Sequence, residues 1–125
     1  MNFEYLTVFL TISSQDLELL TDFYSKLLGQ PADIYRPKVY SEFWLPQLRL
    51  GIFQPKVLRP QEFCNAGSSM SLCIEVPDLN RAIAVLTSIG YPPSGTIIEA
   101  SHGKEIYAYD PEGNRLILHQ SPTTT

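Results

Sequence analysis

Few side chains in this chain could do chemistry near neutral pH, and their spacing limits what that chemistry would be. The 125 residues contain two histidines and two cysteines. His119 closes the apolar run NRLILHQ, Asn114–Gln120, where strand alternation puts Arg115 and Ile117 on its face. Glu105, Tyr107 and Tyr109 share one face of a second alternating run. Glu105 with His119 would make a carboxylate–imidazole pair, which acid–base catalysis without a cofactor requires, and Tyr107 would add a ring and a hydroxyl. Glu105, Tyr107 and His119 are therefore the catalytic candidates. Arg49, Arg115 and His119 could instead converge on an anion. His102, beside Gly103, reads as a solvated turn residue. Ser71 has no evident His/Asp partners, and no G-x-S-x-G elbow exists. Cys73 lies in an apolar run and reads as a small core residue. Cys64 reads as a free thiol in a loop. Two cysteines cannot staple a domain of this size, and no CxxC or Cys/His cluster points to zinc.

The rest of the composition bounds the partners. Hydrophobic residues make up 44% and charged residues 18%, enough for a real core. The formal net charge is −4 and no Lys/Arg run occurs, so nucleic acid is not an expected partner. No stretch reaches the roughly 18–20 apolar residues that span a bilayer. The N-terminal run has no basic leader, so a strand in a cytoplasmic protein is expected. Seven Tyr, six Phe and one Trp could pack a core or line a pocket.

The elements that must position these side chains occur twice. FLTISSQDLELLTDFYSKLLG, Phe9–Gly29, and SLCIEVPDLNRAIAVLTSIG, Ser71–Gly90, each run from a strand through Asp-Leu into helical spacing and stop at glycine. Asp78 follows Asp16 by 62 positions. Ser13, Ser14 or Asp16 could cap the first helix, and Asp78 the second. Leu17, Leu20, Phe23, Tyr24, Leu27 and Leu28 recur at three- and four-residue steps, as do Leu79, Ile83, Leu86 and Ile89. Gly29 and Gly90 suit helix exits, and Pro31, Pro92 and Pro93 bar continuation. LRLGIFQ, Leu48–Gln54, matches NRLILHQ with an offset of 66. Ile34–Tyr35, Val39–Leu45, Ile97–Ala100 and Glu105–Tyr109 are the remaining strands, with turns at Pro46-Gln47 and Asp110–Asn114. Each half reads β-α-β-β-β. The fold class is α+β: two βαβββ modules, about 4–55 and 69–121, in one domain with curved mixed sheets around a cleft and a linker over about 55–68. The tail from Pro122 is expected to fray.

DLELLTDFYSKLLG, EVPDLNRAIAVLTSIG and DPEGNRLILHQ, in that order, resemble the helix signatures and closing hairpin of the glyoxalase/bleomycin-resistance/dioxygenase (vicinal oxygen chelate) superfamily. The resemblance covers nearly the whole chain. It implies paired βαβββ modules, often dimeric, and a ligand cleft, but no single reaction. Metal-dependent relatives hold a divalent cation with His and Glu from the first and last strands of each half. Those positions here are Phe9, Gly51, Ser71 and Ile117, and none carries a carboxylate or imidazole. A metal-free member is therefore expected, with no cofactor.

The expected activity is binding of a small apolar or aromatic molecule, without nucleic acid or membrane as partner. The expected contacts are Phe9, Thr11, Trp44, Arg49, Phe53, Ser71, Cys73, Tyr107, Tyr109, Ile117 and His119. Tyr35, Tyr40 and Phe43 are further large residues near Trp44 whose facing is open. The alternative is a lyase, isomerase or dioxygenase-type enzyme using Glu105, Tyr107 and His119, or a metal held elsewhere. A symmetric homodimer is expected from the resemblance and from open sheet edges.

Overall fold

The computed structural model describes residues 3–56, 60–63 and 69–122. The chain divides into two compact units, 1–63 and 64–125, each described by itself. The first contains β1 (Leu10–Ser13), α1 (Leu17–Leu28), β2 (Ile34–Arg36), β3 (Tyr40–Leu45), β4 (Leu48–Phe53) and a short α2 (Pro60–Phe63). The second contains β5 (Leu72–Glu75), α3 (Leu79–Ser88), β6 (Ile98–Ala100), β7 (Gly103–Tyr109) and β8 (Arg115–Gln120). Their sheets have matching orders, β1-β4-β3-β2 and β5-β8-β7-β6. In each, the first strand lies parallel to the last and the other neighbours are antiparallel. The repeat read from the sequence is thus a repeat of topology.

The same local devices start both helices. Asp16 accepts from the Leu19 N–H at 3.1 Å, and Asp78 accepts from the Arg81 N–H at 3.1 Å. Each satisfies a first-turn donor that the helix itself leaves unpaired. A second acceptor comes from the end of the closing strand. Gln54 Oε1 accepts from the Leu17 N–H at 3.1 Å, and Gln120 Oε1 accepts from the Leu79 N–H at 2.7 Å. The matched glutamines therefore tie each sheet to its helix. Gly29 ends α1 at φ 70, a left-handed conformation that costs glycine little.

Alternation then divides each sheet into two faces. Leu17, Leu20, Phe23 and Tyr24 of α1 are buried, as are Phe43, Leu50 and Ile52 of the sheet. Thr21 on α1 shares a 2.8 Å hydrogen bond with Ser41, fixing which face of β3 meets the helix. In the second unit Leu79 and Leu86 are buried with Ile106, Ala108, Leu116 and Leu118. Successive strand residues point to opposite faces, so the residues between these lie on the face turned away from the helix.

Several boundaries differ from expectation. Val39 and Ile97 fall outside their strands, while Arg36 joins β2 and β7 begins at Gly103. The stretch assigned to the linker contains α2. Both expected turns form. Pro46-Gln47 joins the Leu45↔Leu48 pair with Gln47 at φ 62. Asp110 Oδ1 accepts from the backbone of Glu112 and Asn114, and Oδ2 accepts from the Asn114 side chain at 2.8 Å. Cys64 and the last three residues of the tail lie outside the described residues.

Candidate functional site

On the first sheet, the face away from α1 carries Tyr40, Glu42 and Trp44 from β3. Their register partners on β4 are Phe53, Gly51 and Arg49, and Thr11 of β1 pairs with Gly51. Glu42 is only 7% exposed. Tyr40 donates its hydroxyl to Oε1 at 2.6 Å, and Trp44 donates its indole N–H to Oε2 at 2.5 Å. These bonds, Tyr40 foremost, hold the Glu42 carboxyl below the usual carboxylate range. Burial, with the bond to Glu42, pushes the Tyr40 phenol up to about 12. Trp44 remains 51% exposed, and the Arg49 guanidinium stands 5.5 Å from its ring centroid. Phe53 meets Phe63 of α2 edge-on, with centroids 5.1 Å apart. Phe43 and Tyr35 lie elsewhere: Phe43 is buried, and the Tyr35 hydroxyl donates to Glu18 on α1 at 3.0 Å.

Glycine leaves room for the Tyr40 ring opposite Glu42. A Cβ on Gly51 would stand 2.6 Å from the Tyr40 hydroxyl and 3.1 Å from its nearest ring carbon. The Tyr40 ring therefore occupies the space that a side chain from the middle of β4 would cross.

On the second sheet, the face away from α3 carries Cys73 and Glu75 from β5, Glu105, Tyr107 and Tyr109 from β7, and Arg115, Ile117 and His119 from β8. Ile117 lies between Cys73 and Tyr107, and His119 between Glu75 and Glu105. His119 Nδ1 is 2.6 Å from Glu75 Oε1, and its Nε2 is 3.1 Å from His102 Nδ1. The two imidazoles stack with centroids 5.2 Å apart. Ser121 donates both its N–H and its hydroxyl to Glu75 Oε2. Ser121 and then His119 lower the Glu75 pKa, while the Glu75 bond raises that of His119.

Two sequence readings change here. His119 and Glu105 are cross-strand partners, yet the carboxylate bonded to the imidazole is Glu75. The neighbouring parallel strand reaches Nδ1, and no local pattern in β7 and β8 reveals that. His102 is the exposed turn residue expected, and the turn before Gly103 also brings its Nδ1 to His119. Cys73 is exposed and not core: Leu72 and Ile74 pair with buried Leu116 and Leu118, so alternation turns Cys73 away from α3. Partial shielding of the sulfur by its neighbours, then Glu75 and Glu105, raises its thiol pKa. Arg115 Nε donates to Ser71 Oγ at 2.7 Å, while Arg49 belongs to the other sheet. Tyr107 and Tyr109 are 41% and 45% exposed on the expected face.

Solved structures with the same architecture decide the fold. A glyoxalase/bleomycin resistance protein from Catenulispora acidiphila superposes with a TM-score of 0.69 at 18% identity, covering 94% of this chain and all of its own. A glyoxalase-related enzyme from Fulvimarina pelagi gives a TM-score of 0.73 at 20% identity, over 94% of this chain and 90% of its own. This chain has the glyoxalase/bleomycin-resistance fold. A lactoylglutathione lyase from Agrobacterium tumefaciens is likewise similar, with a TM-score of 0.69 at 16% identity over 91% of this chain and 92% of its own. No protein-family model and no curated protein matches the sequence.

The donor set of this chain does not fit a metal at the four positions where the resemblance expects one. Gly51 has no side chain and Ile117 is hydrocarbon. Phe9 precedes β1 and is 43% exposed, and the Ser71 hydroxyl is already bound by Arg115. None of the four supplies a charged or imidazole donor to offset the dehydration of a divalent ion.

Proposed function

We propose that this protein is a metal-independent small-molecule-binding protein of the glyoxalase/bleomycin-resistance type. It holds an apolar or aromatic ligand against the sheet faces turned away from the helices. The observation that carries this reading is that Tyr40, bonded to Glu42, fills the space beside Gly51, a position where the resemblance expects a metal ligand. An aromatic ring in that space favours an organic ligand over an ion. Trp44 with Arg49, and Tyr107 with Tyr109, supply exposed ring surface beside a small number of polar groups, as small-molecule sites commonly do. Native mass spectrometry of protein purified without a tag tests the reading. A co-purified organic ligand, lost from Trp44→Ala or Tyr107→Ala protein that remains folded, is the expected result. Ligand retention in both variants would refute it.

One observation favours a second reading. Glu75 and His119 form a carboxylate–imidazole pair at 2.6 Å on a face that also carries Tyr107. Such a pair suits proton transfer in a lyase or isomerase, with His119 moving the proton and Glu75 orienting its ring.

A further inference from the structure

The two imidazoles of this chain meet at the end of the second sheet, where His119 follows Ile117 by two residues on the same face of β8. His119 closes β8, and His102 sits in the turn between β6 and β7. These are the only histidines in the sequence. Their facing nitrogens, Nε2 of His119 and Nδ1 of His102, are 3.1 Å apart. A hydrogen bond accounts for that distance, and so does shared coordination. With metal–nitrogen bonds of about 2.0–2.1 Å, adjacent ligands at about 90–109° have nitrogens about 2.8–3.4 Å apart.

Three surrounding features suit a cation. Glu75 holds the other nitrogen of His119 at 2.6 Å, the arrangement that commonly fixes the tautomer and orientation of a metal-binding histidine. Glu75 is itself fixed by two donors from Ser121. Glu105 faces His119 across the strand pair and adds negative charge. Gly103 makes the approach possible, since a Cβ there would stand 2.9 Å from His119 Nε2 and would overlap the Gln120 carbonyl.

We infer that His102 and His119 form a two-imidazole chelate for a first-row transition cation, binding Cu2+ more tightly than Zn2+. Imidazole nitrogens suit such ions, and affinity at a nitrogen site rises through the series to Cu2+. Among the described residues no group of three His, Cys, Asp or Glu side chains forms a metal site, so water completes the coordination. In the free protein one of the two facing nitrogens carries the proton of their hydrogen bond, and this proton must leave when the ion binds. His119 keeps its proton on Nδ1, facing Glu75. The displaced proton moves through water to His102 Nε2 where His119 is neutral, or is released to the buffer where His119 is charged, and both facing lone pairs then bind the ion. The organic-ligand reading does not depend on this ion, so either can fail alone.

The test is isothermal titration of tag-free protein with CuCl2 and, separately, ZnCl2 in a non-chelating buffer. It is paired with NMR of the two histidine rings. The expected result is one ion per chain, tighter for Cu2+, with Zn2+ shifting both rings. His102→Ala and His119→Ala should each weaken Cu2+ binding at least about tenfold, and Glu75→Gln by about tenfold. His102→Ala changes an exposed turn, and circular dichroism would verify its fold. Failure of Cu2+ to bind at millimolar concentration would overturn the inference. So would undiminished binding in the two alanine variants, or a Zn2+ response confined to one ring.

Discussion

Gly51→Ala tests the packing at a position where the family resemblance expects a metal ligand. The added methyl would meet the Tyr40 hydroxyl at 2.6 Å, so the Tyr40 ring must move. Moving it breaks the bond to Glu42, a hydrogen bond to a charged group worth about 1.5–3 kcal/mol. Alanine also restricts the unfolded chain, which returns about 0.4–1 kcal/mol. The net expected cost is about 0.5–2.6 kcal/mol, from those two magnitudes. Tyr40→Phe removes the same hydrogen bond directly. In that background the nearest obstacles are ring carbons at 3.1 and 3.2 Å, which a shift of a few tenths of an ångström relieves. Gly51→Ala should then be neutral or slightly stabilising. Because the unfolded-chain return cancels between backgrounds, the coupling energy is that of the hydrogen bond, about 1.5–3 kcal/mol. Urea unfolding of the four proteins, followed by circular dichroism and by the fluorescence of Trp44, measures the cycle. Trp44 is the sole tryptophan and bonds the same carboxylate, so its emission reports on this cluster. Costs additive to within about 0.5 kcal/mol would refute the packing argument.

Gln54→Ala and Gln120→Ala should each destabilise by about 0.5–1.5 kcal/mol in urea unfolding, because each strips an acceptor from a helix N-terminus. Gly103→Ala should destabilise by more than about 1 kcal/mol, since its φ of 129 and the overlap with Gln120 both penalise a side chain; an unchanged urea midpoint would contradict this. Glu42 adds a pH dependence with a definite sign. Its folded carboxyl titrates below the ordinary 4.5, so the stability it contributes is present above pH 4.5 and is lost as pH falls through the folded value. Urea midpoints measured down the acid limb should therefore fall less steeply in Glu42→Gln than in the unchanged protein.

The sequence carried the repeat because each copy must solve the same local problems. Asp16 and Asp78 cap helices, Gly29 and Gly90 end them, and alternating strands follow. Those signals lie within a few residues of one another. The site was less legible because its partners come from separate strands. Glu42 was missed although alternation in YSEFWL sets it between Tyr40 and Trp44; its burial depends on how those rings fold over it. Glu75 reaches His119 from a parallel strand 44 positions earlier, a pairing without a local motif. Cys73 was misread because apolar neighbours outweighed the period of two. For His102, the sequence showed a turn, and only the path of that turn brings the ring onto His119.

The most direct test of the central reading is whether organic-ligand binding needs a metal. Protein treated with EDTA would be titrated with a panel of small aromatic compounds and followed by amide NMR. The proposed function predicts binding that survives chelation, with shifts on a sheet face turned away from its helix, at Trp44 and Arg49 or at Tyr107 and Ile117. Binding that appears only after a divalent ion is restored, or shifts confined to the outer faces of α1 and α3, would contradict it.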